Sequence, residues 1–335
     1  MIKEIRIENF CKISHLQHAS LGFVNLVIGP NQSGKTTLLK ALYAAMKTVE
    51  LHKRGKDIRS DKEILSEKLY WTFQCRSLGN LVKKGTSSLS FSIISNEKKT
   101  LSYSLGTSTT KFATISNNTF PPTDVNSVFI PAKEVLSLRD IILDSRNRYA
   151  EFGFDDTYFD LAKALTPTTK GKNYKTFSDA RKRLEEMVGG KLDYHPERKE
   201  WLFKDANKRE YEVALTSEGV KKLSILDLLL GNRYLSDHSV VLIDEVEANL
   251  HPSLVSKFLE IVMLLAKTGV QFFIASHSYF VIKRMYILAH QMEMHIPVLS
   301  FDAHGAISVG DLSKNMSKNA IIDEAVSLYK DEVSL

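Results

Sequence analysis

Cysteine is nearly absent from this chain: in 335 residues there are two, Cys11 and Cys75, far apart and without paired spacing. That argues against a disulfide framework or a zinc cluster and fits a reducing, cytoplasmic setting. Long hydrophobic runs are missing as well. The longest, such as VFIPA at 128–132 and IVMLLA at 261–266, fall well short of the roughly 20 residues that span a bilayer. The N-terminal MIKEIRIENF alternates charged and apolar residues and has no apolar signal core. No internal repeat or low-complexity tract is visible. A soluble protein is therefore expected. What the chain does have is enough apolar content, 43%, to fill the core of one large domain or of a domain with an insertion. Its formal charge of +6 permits nucleic-acid contact without requiring it.

The strongest local signal is FVNLVIGPNQSGKTTLLKALYAAM. It predicts a strand over Phe23 to Ile28, a loop of small residues, and an amphipathic helix from about Lys35 to Thr48. The loop Gly29, Pro30, Asn31, Gln32, Ser33, Gly34, Lys35, Thr36, Thr37 matches G-x-x-x-x-G-K-[ST]. Gly29 and Gly34 let backbone N–H groups close around phosphate oxygens at a helix N-terminus. Lys35 then reaches the β- and γ-phosphates, the Thr36 hydroxyl ligates magnesium, and Thr37 meets the α-phosphate. ATP and Mg2+ are the expected cofactors.

Such a loop needs a second strand whose tip offers a carboxylate. SVVLIDE supplies it: four apolar residues end in Asp244, expected as a metal ligand largely through water, and Glu245, expected as the general base. A third strand, Val270 to Ala275, leads into Ser276 and His277, which places His277 as a donor near the γ-phosphate. Lys35, Glu245 and His277 form the predicted catalytic set.

Elsewhere the pattern predicts a first strand at Ile2 to Asn9, a helix near Asp61 to Gln74, and a hairpin from SSLSFSIIS and KTLSYSLG turning at Asn96 to Lys98. LSLRDIILDSRNRY, DTYFDLAKAL and TFSDARKRLEEMVGG read as helices, the last stopped by Gly189 and Gly190. The β-rich KLDYHPERKEWLFKDANKREYEVAL follows them. A hairpin in VLSFDAHGAISV and a final helix near Asn319 to Tyr329 close the chain. These elements divide into an N-terminal lobe, 1–134, a helical arm with a β-segment, 135–212, and a C-terminal lobe, 213–335. The arm lacks sustained heptads, unlike a long coiled-coil tether.

The ordered set IENFCKI, GPNQSGKTT, FIPAKEVLSL, TSEGVKKLSILDLLL, IDEVEANLHP and ASHSYFVI resembles the motifs of ABC-type ATPases of the OLD and RecF-like branch. These are similar to the heads of SMC proteins and are grouped with AAA-family ATPases. The resemblance runs from Ile7 to about Ile282. It implies an α/β fold: an ABC-type P-loop NTPase head with an antiparallel β-subdomain and a compact helical insertion. It also implies that Ser217, Glu218 and Gly219 begin the signature helix and face ATP held by a second subunit. Glu247 and Asn249 would lie in the D-loop at the same interface, and Pro252 would open the next helix, where its missing N–H costs nothing. Val246 departs from the proline common in relatives, and Thr36 from serine. Gln74 is the candidate Q-loop residue and metal neighbour; a place on the surface is the alternative.

Relatives of this type that stand alone work with a separately encoded effector, commonly a TOPRIM-like or HNH nuclease, in anti-phage or abortive-infection systems. The stretch after His277 is too short for a TOPRIM domain, and its acids are scattered, so no nuclease centre is expected here. The resemblance thus implies an ATP-dependent homodimer that controls such an effector. Two alternatives stay open: a RecF-like repair ATPase acting on DNA without an effector, and an ATP-assembled scaffold with negligible turnover. The basic runs 51–59 and 170–183 would serve either a DNA face or an ordinary solvated surface.

Overall fold

A computed structural model of the chain describes residues 1–18, 20–166, 177–195, 197–198, 200–315 and 319–335. At its centre is a six-stranded sheet. Five strands are parallel: β7 (Val128–Ile130), β11 (Val240–Ile243), β12 (Gln271–Ser276), β3 (Val24–Ile28) and β13 (Pro297–Phe301), in that spatial order. An antiparallel edge strand, β14 (Ile307–Asp311), completes it. β12 lies between β3 and β11. The three loops at their carboxyl ends therefore emerge side by side, which is where ligands bind in parallel α/β sheets.

Every residue of β3, β11 and β12 is buried, as expected of strands covered on both faces. Because side chains alternate along a strand, each strand feeds two cores. Val24, Leu26, Ile28, Val241, Ile243, Phe272 and Ile274 enter one; Val27, Val240, Leu242, Phe273 and Ala275 enter the other.

The second core is closed by helix α1 (Lys35–Leu51) and by an antiparallel sheet. That sheet runs β2 (Ile13–His18), β1 (Ile2–Phe10), β4 (Ser88–Ser95), β5 (Thr100–Gly106), β6 (Thr114–Asn118). The predicted β4–β5 hairpin is present, with Ser88 facing Gly106. Helix α2 (Asp61–Phe73) starts with a capping box between Ser60 and Glu63. Buried Gln271 joins the sheets: its carboxamide exchanges hydrogen bonds with Ile2 N and O, each at 2.8 Å.

The first core gathers α3 (Arg139–Asn147), α4 (Asp156–Ala164), α5 (Ser178–Val188), α6 (Glu218–Gly231), α7 (Pro252–Lys267) and α8 (Tyr279–Gln291). Gly189, with φ of 71°, ends α5 in the left-handed region, as the glycine pair predicts. A three-stranded meander follows: β8 (Gly190–His195), β9 (Glu200–Asp205) and β10 (Glu210–Glu212). Ile142, Leu161, Leu184 and Trp201, from the segment between β7 and α6, share one core with α6 and α7. The terminal helix, α9 (Ala320–Val333), has no buried residue. Among the described residues no helix is long and apolar enough to cross a membrane.

Candidate functional site

The loop from β3 to α1 is shaped by two glycines. Gly29 has φ of 147° and a Cβ there would sit 2.6 Å from Phe301 O; Gly34, at the helix N-cap, has φ of 117°. Both positions demand glycine. The turn between β1 and β2 steadies the loop from outside, where Lys12 Nζ donates to Gln32 O at 2.8 Å. Asn31 and Gln32 are exposed, whereas Ser33 is buried and its hydroxyl has no hydrogen-bond partner.

Lys35 opens α1 and folds back over the loop, donating to Gly29 O and Pro30 O at 2.8 Å each. Burial depresses its pKa, opposed by the nearby carboxylates of Asp244, Glu245 and Glu247. Beside it the Thr36 hydroxyl donates to Asp244, 2.9 Å from one carboxylate oxygen and 3.1 Å from the other. Asp244 follows β11 and is 8% exposed. Burial raises its pKa, the Thr36 hydrogen bond lowers it, and the neighbouring Glu245 charge raises it. A hydroxyl and a carboxylate held this close are hard oxygen donors suited to Mg2+, which takes one or two carboxylates plus phosphate oxygens. Together with the glycine cradle and the unpartnered Ser33 hydroxyl, these residues fit a Mg2+-nucleoside triphosphate.

Glu245 leaves the strand with φ of 47°, a conformation a non-glycine residue adopts at a cost. Its carboxylate lies 3.9 Å from His277 Nδ1 at the end of β12. Glu247 reaches the same histidine. One of its oxygens accepts from Ser276 Oγ and from His277 N–H, both at 2.9 Å, and lies 3.4 Å from His277 Nδ1. Glu247, placed by resemblance in the D-loop, thus also holds the β12 end that carries His277.

A cleft of about 470 Å3 opens beside Thr36, Asp244, Glu245 and Asn249. Its far wall comes from the start of α4, through Asp155 and Tyr158. Lys40 of α1 pairs with Asp155 at 2.6 Å. Burial, with Asp155 and Asp244 nearby, pushes the Tyr158 hydroxyl up to about 12. Sequence reasoning did not find this wall, because Lys40 and Asp155 belong to no motif and meet only in the fold.

Ser217 caps α6, its side chain accepting from Val220 N–H at 3.3 Å. Ser217 and Glu218 are exposed and do not line the cleft, while Gly219 is buried against Asn249. Gln74 ends α2 in the left-handed conformation. With its amide oriented to satisfy both ends, it accepts from Gly153 N–H and Asp155 N–H, so it touches the cleft wall rather than Asp244. Thr37 follows Thr36 in the first turn of α1. Of the basic run 51–59, Arg54 bonds Asn126 and Asp124, and Arg59 pairs with Asp57 and Glu67. Residues 170–176 of the other basic run lie outside the described residues.

No curated protein matches the sequence significantly. Among solved structures, one similar chain is an Smc head bound to the C-winged helix domain of ScpA. It is 14% identical, with a TM-score of 0.55 over 92% of this chain and 97% of that one. Another is an Smc head domain with an extended coiled coil bound to the C-terminal domain of ScpA derived from Pyrococcus furiosus. It is 13% identical, with a TM-score of 0.54 over 98% of each chain. At such identities the likeness is one of fold alone, that of an Smc head domain. A family model matches residues 24–283, from the first core strand through the start of the helix after His277. The chain belongs to the family described as "AAA domain, putative AbiEii toxin, Type IV TA system".

Proposed function

We propose that this protein is a Mg2+-dependent ATPase that closes head to head as a homodimer on ATP and so controls a separately encoded effector, a nuclease, in defence against phage. The convergence of Lys35, Thr36, Asp244, Glu245 and His277 from three neighbouring strand ends carries the reading. Lys35 would exchange its loop carbonyls for phosphate oxygens, and Thr36 with Asp244 would hold the metal. Bound Mg2+ would supply charge neutralisation between the β- and γ-phosphates. Glu245 would take the proton of the attacking water on its carboxylate, and His277 would donate a hydrogen bond to the γ-phosphate.

The start of α6 supports the dimer reading. Ser217 and Glu218 are exposed at the start of α6 and do not line the cleft of their own chain. A helix N-terminus favours a phosphate, and a second copy would bring this one to the nucleotide of the first. Hydrolysis would reopen the pair, and that motion would be passed to the effector. Control of a nuclease in phage defence rests on the motif resemblance.

ATP turnover by the purified protein, alone, with DNA and with the product of the adjacent gene, tests the proposal. The reading predicts Mg2+-dependent turnover that Glu245→Gln abolishes, and a neighbour retained by the closed dimer. Turnover accelerated by DNA with the neighbour ignored would favour a RecF-like repair ATPase. Dimerisation by ATP with no turnover would favour a scaffold.

A further inference from the structure

The turn carrying Glu245 is gripped from one side by α6. Glu245 O accepts from Ala248 N–H at 2.9 Å, closing the turn on itself. It also accepts from the Nζ of Lys222 at 2.6 Å, and the same ammonium lies 3.5 Å from Ala248 O. Lys222 is only 7% exposed. Nearer the start of α6, Gly219 presses on the other end of the turn, where a Cβ would stand 2.8 Å from Asn249 O. The segment between has two non-glycine residues at positive φ, Glu245 at 47° and Asn249 at 63°. Such conformations persist only where the surroundings hold them.

Lys221 provides the contrast. Its ammonium pairs with Glu218 one turn away, at 2.9 Å, within the same helix. Lys222 reaches out of the helix to a main-chain carbonyl 23 residues on. A lysine buried to this degree is costly unless its charge is satisfied, and the carboxylates of Glu247, Asp244 and Glu245 lie around it.

We infer that Lys222 is a positioning residue that fixes the main chain of Glu245, so that the helix presenting Ser217 to the partner's nucleotide also sets the hydrolytic carboxylate of its own subunit. This rests on the ATPase and dimer reading above. Ser217 and Lys222 sit on one rigid helix, about 7.5 Å apart along its axis. A shift of α6 on closure therefore moves the Glu245 carbonyl directly, which links the state of one nucleotide site to catalysis at the other.

The test compares wild type, Lys222→Met, which keeps the stem and loses the donor, and Lys222→Arg, which restores a donor. Turnover, KM for ATP, equilibrium affinity for a fluorescent ATP analogue and melting temperature are measured for each. For Lys222→Met, kcat should fall about 10- to 100-fold with KM within about threefold, the pattern of an interaction used in the chemical step. Analogue affinity should be kept, and Lys222→Arg should recover a substantial part of kcat. Unchanged kcat in Lys222→Met overturns the inference. So does a loss that accompanies lost ATP affinity, or one that Lys222→Arg does not recover, since each assigns Lys222 to packing alone. A wild type without turnover would bring down the ATPase reading and the inference together, whereas active wild type with equally active Lys222→Met brings down only the inference.

Discussion

Thr36 and Asp244, 208 residues apart in sequence, meet across the site with the threonine hydroxyl donating to both carboxylate oxygens, at 2.9 and 3.1 Å. Thr36 lies in the first turn of α1 and Asp244 follows β11, so the contact joins the glycine loop to the strand that leads into Glu245. With Mg2+ bound, Thr36 and Asp244 would be the residues that hold it.

Asp244→Asn keeps an acceptor for Thr36 and removes the charge. It should bind ATP in EDTA nearly as wild type does and gain little from added Mg2+. Its kcat should drop at least about 100-fold, roughly 3 kcal/mol of barrier. Titration of a fluorescent ATP analogue with and without Mg2+, beside turnover, checks both parts.

Glu247 gives a prediction about stability. Glu247→Ala leaves Ser276 Oγ and His277 N–H without the acceptor they share, and losing hydrogen bonds to a charged, largely buried group should cost about 1–3 kcal/mol. His277→Ala, at a half-exposed ring, should stay within about 0.5 kcal/mol of wild type. Urea denaturation of the two variants side by side distinguishes them. Equal losses would mean that Glu247 does not organise the end of β12.

Lys222 yields a pH prediction. Burial lowers its pKa from 10.5 to about 8 against the pull of Glu247, Asp244 and Glu245. Between about pH 8 and 10.5 the unfolded chain then binds more protons than the folded one, so this residue's contribution to stability rises with pH across that window. Below it the buried charge is a standing cost, up to about 3 kcal/mol for a shift of this size. The stability difference between Lys222→Met and wild type should therefore favour the variant most at pH 7 and move toward wild type as the pH approaches 10.5. Thermal melts of both proteins from pH 7 to 10.5 read this out; a difference that does not change with pH would contradict it.

The parts legible in the sequence are those where a local pattern and a chemical need coincide. The strand into Gly29, the helix from Lys35 and the acids at the tip of β11 follow from apolar runs and loop chemistry, and observed boundaries differ by only a few residues: α1 extends to Leu51 and β3 starts at Val24. Pro252 fills the first turn of α7 as its type suggests, and the His251 ring caps that turn by accepting from Ser253 N–H. What stayed hidden depends on distant encounters. Lys222 reads as one more helical lysine until its ammonium is seen on the Glu245 carbonyl, and Asp155 reads as an ordinary N-cap until Lys40 reaches it from α1. Neither contact has a sequence period or spacing to announce it.

The central claim, that two copies complete each other's nucleotide sites, is tested most directly by the solution mass of Glu245→Gln with and without ATP–Mg2+. Removing the base should hold ATP unhydrolysed and the heads closed. The account predicts a mass near one chain without nucleotide, a doubled mass with ATP–Mg2+, and no doubling with ADP. A protein that binds ATP–Mg2+ and keeps the mass of a single chain under every condition would contradict it.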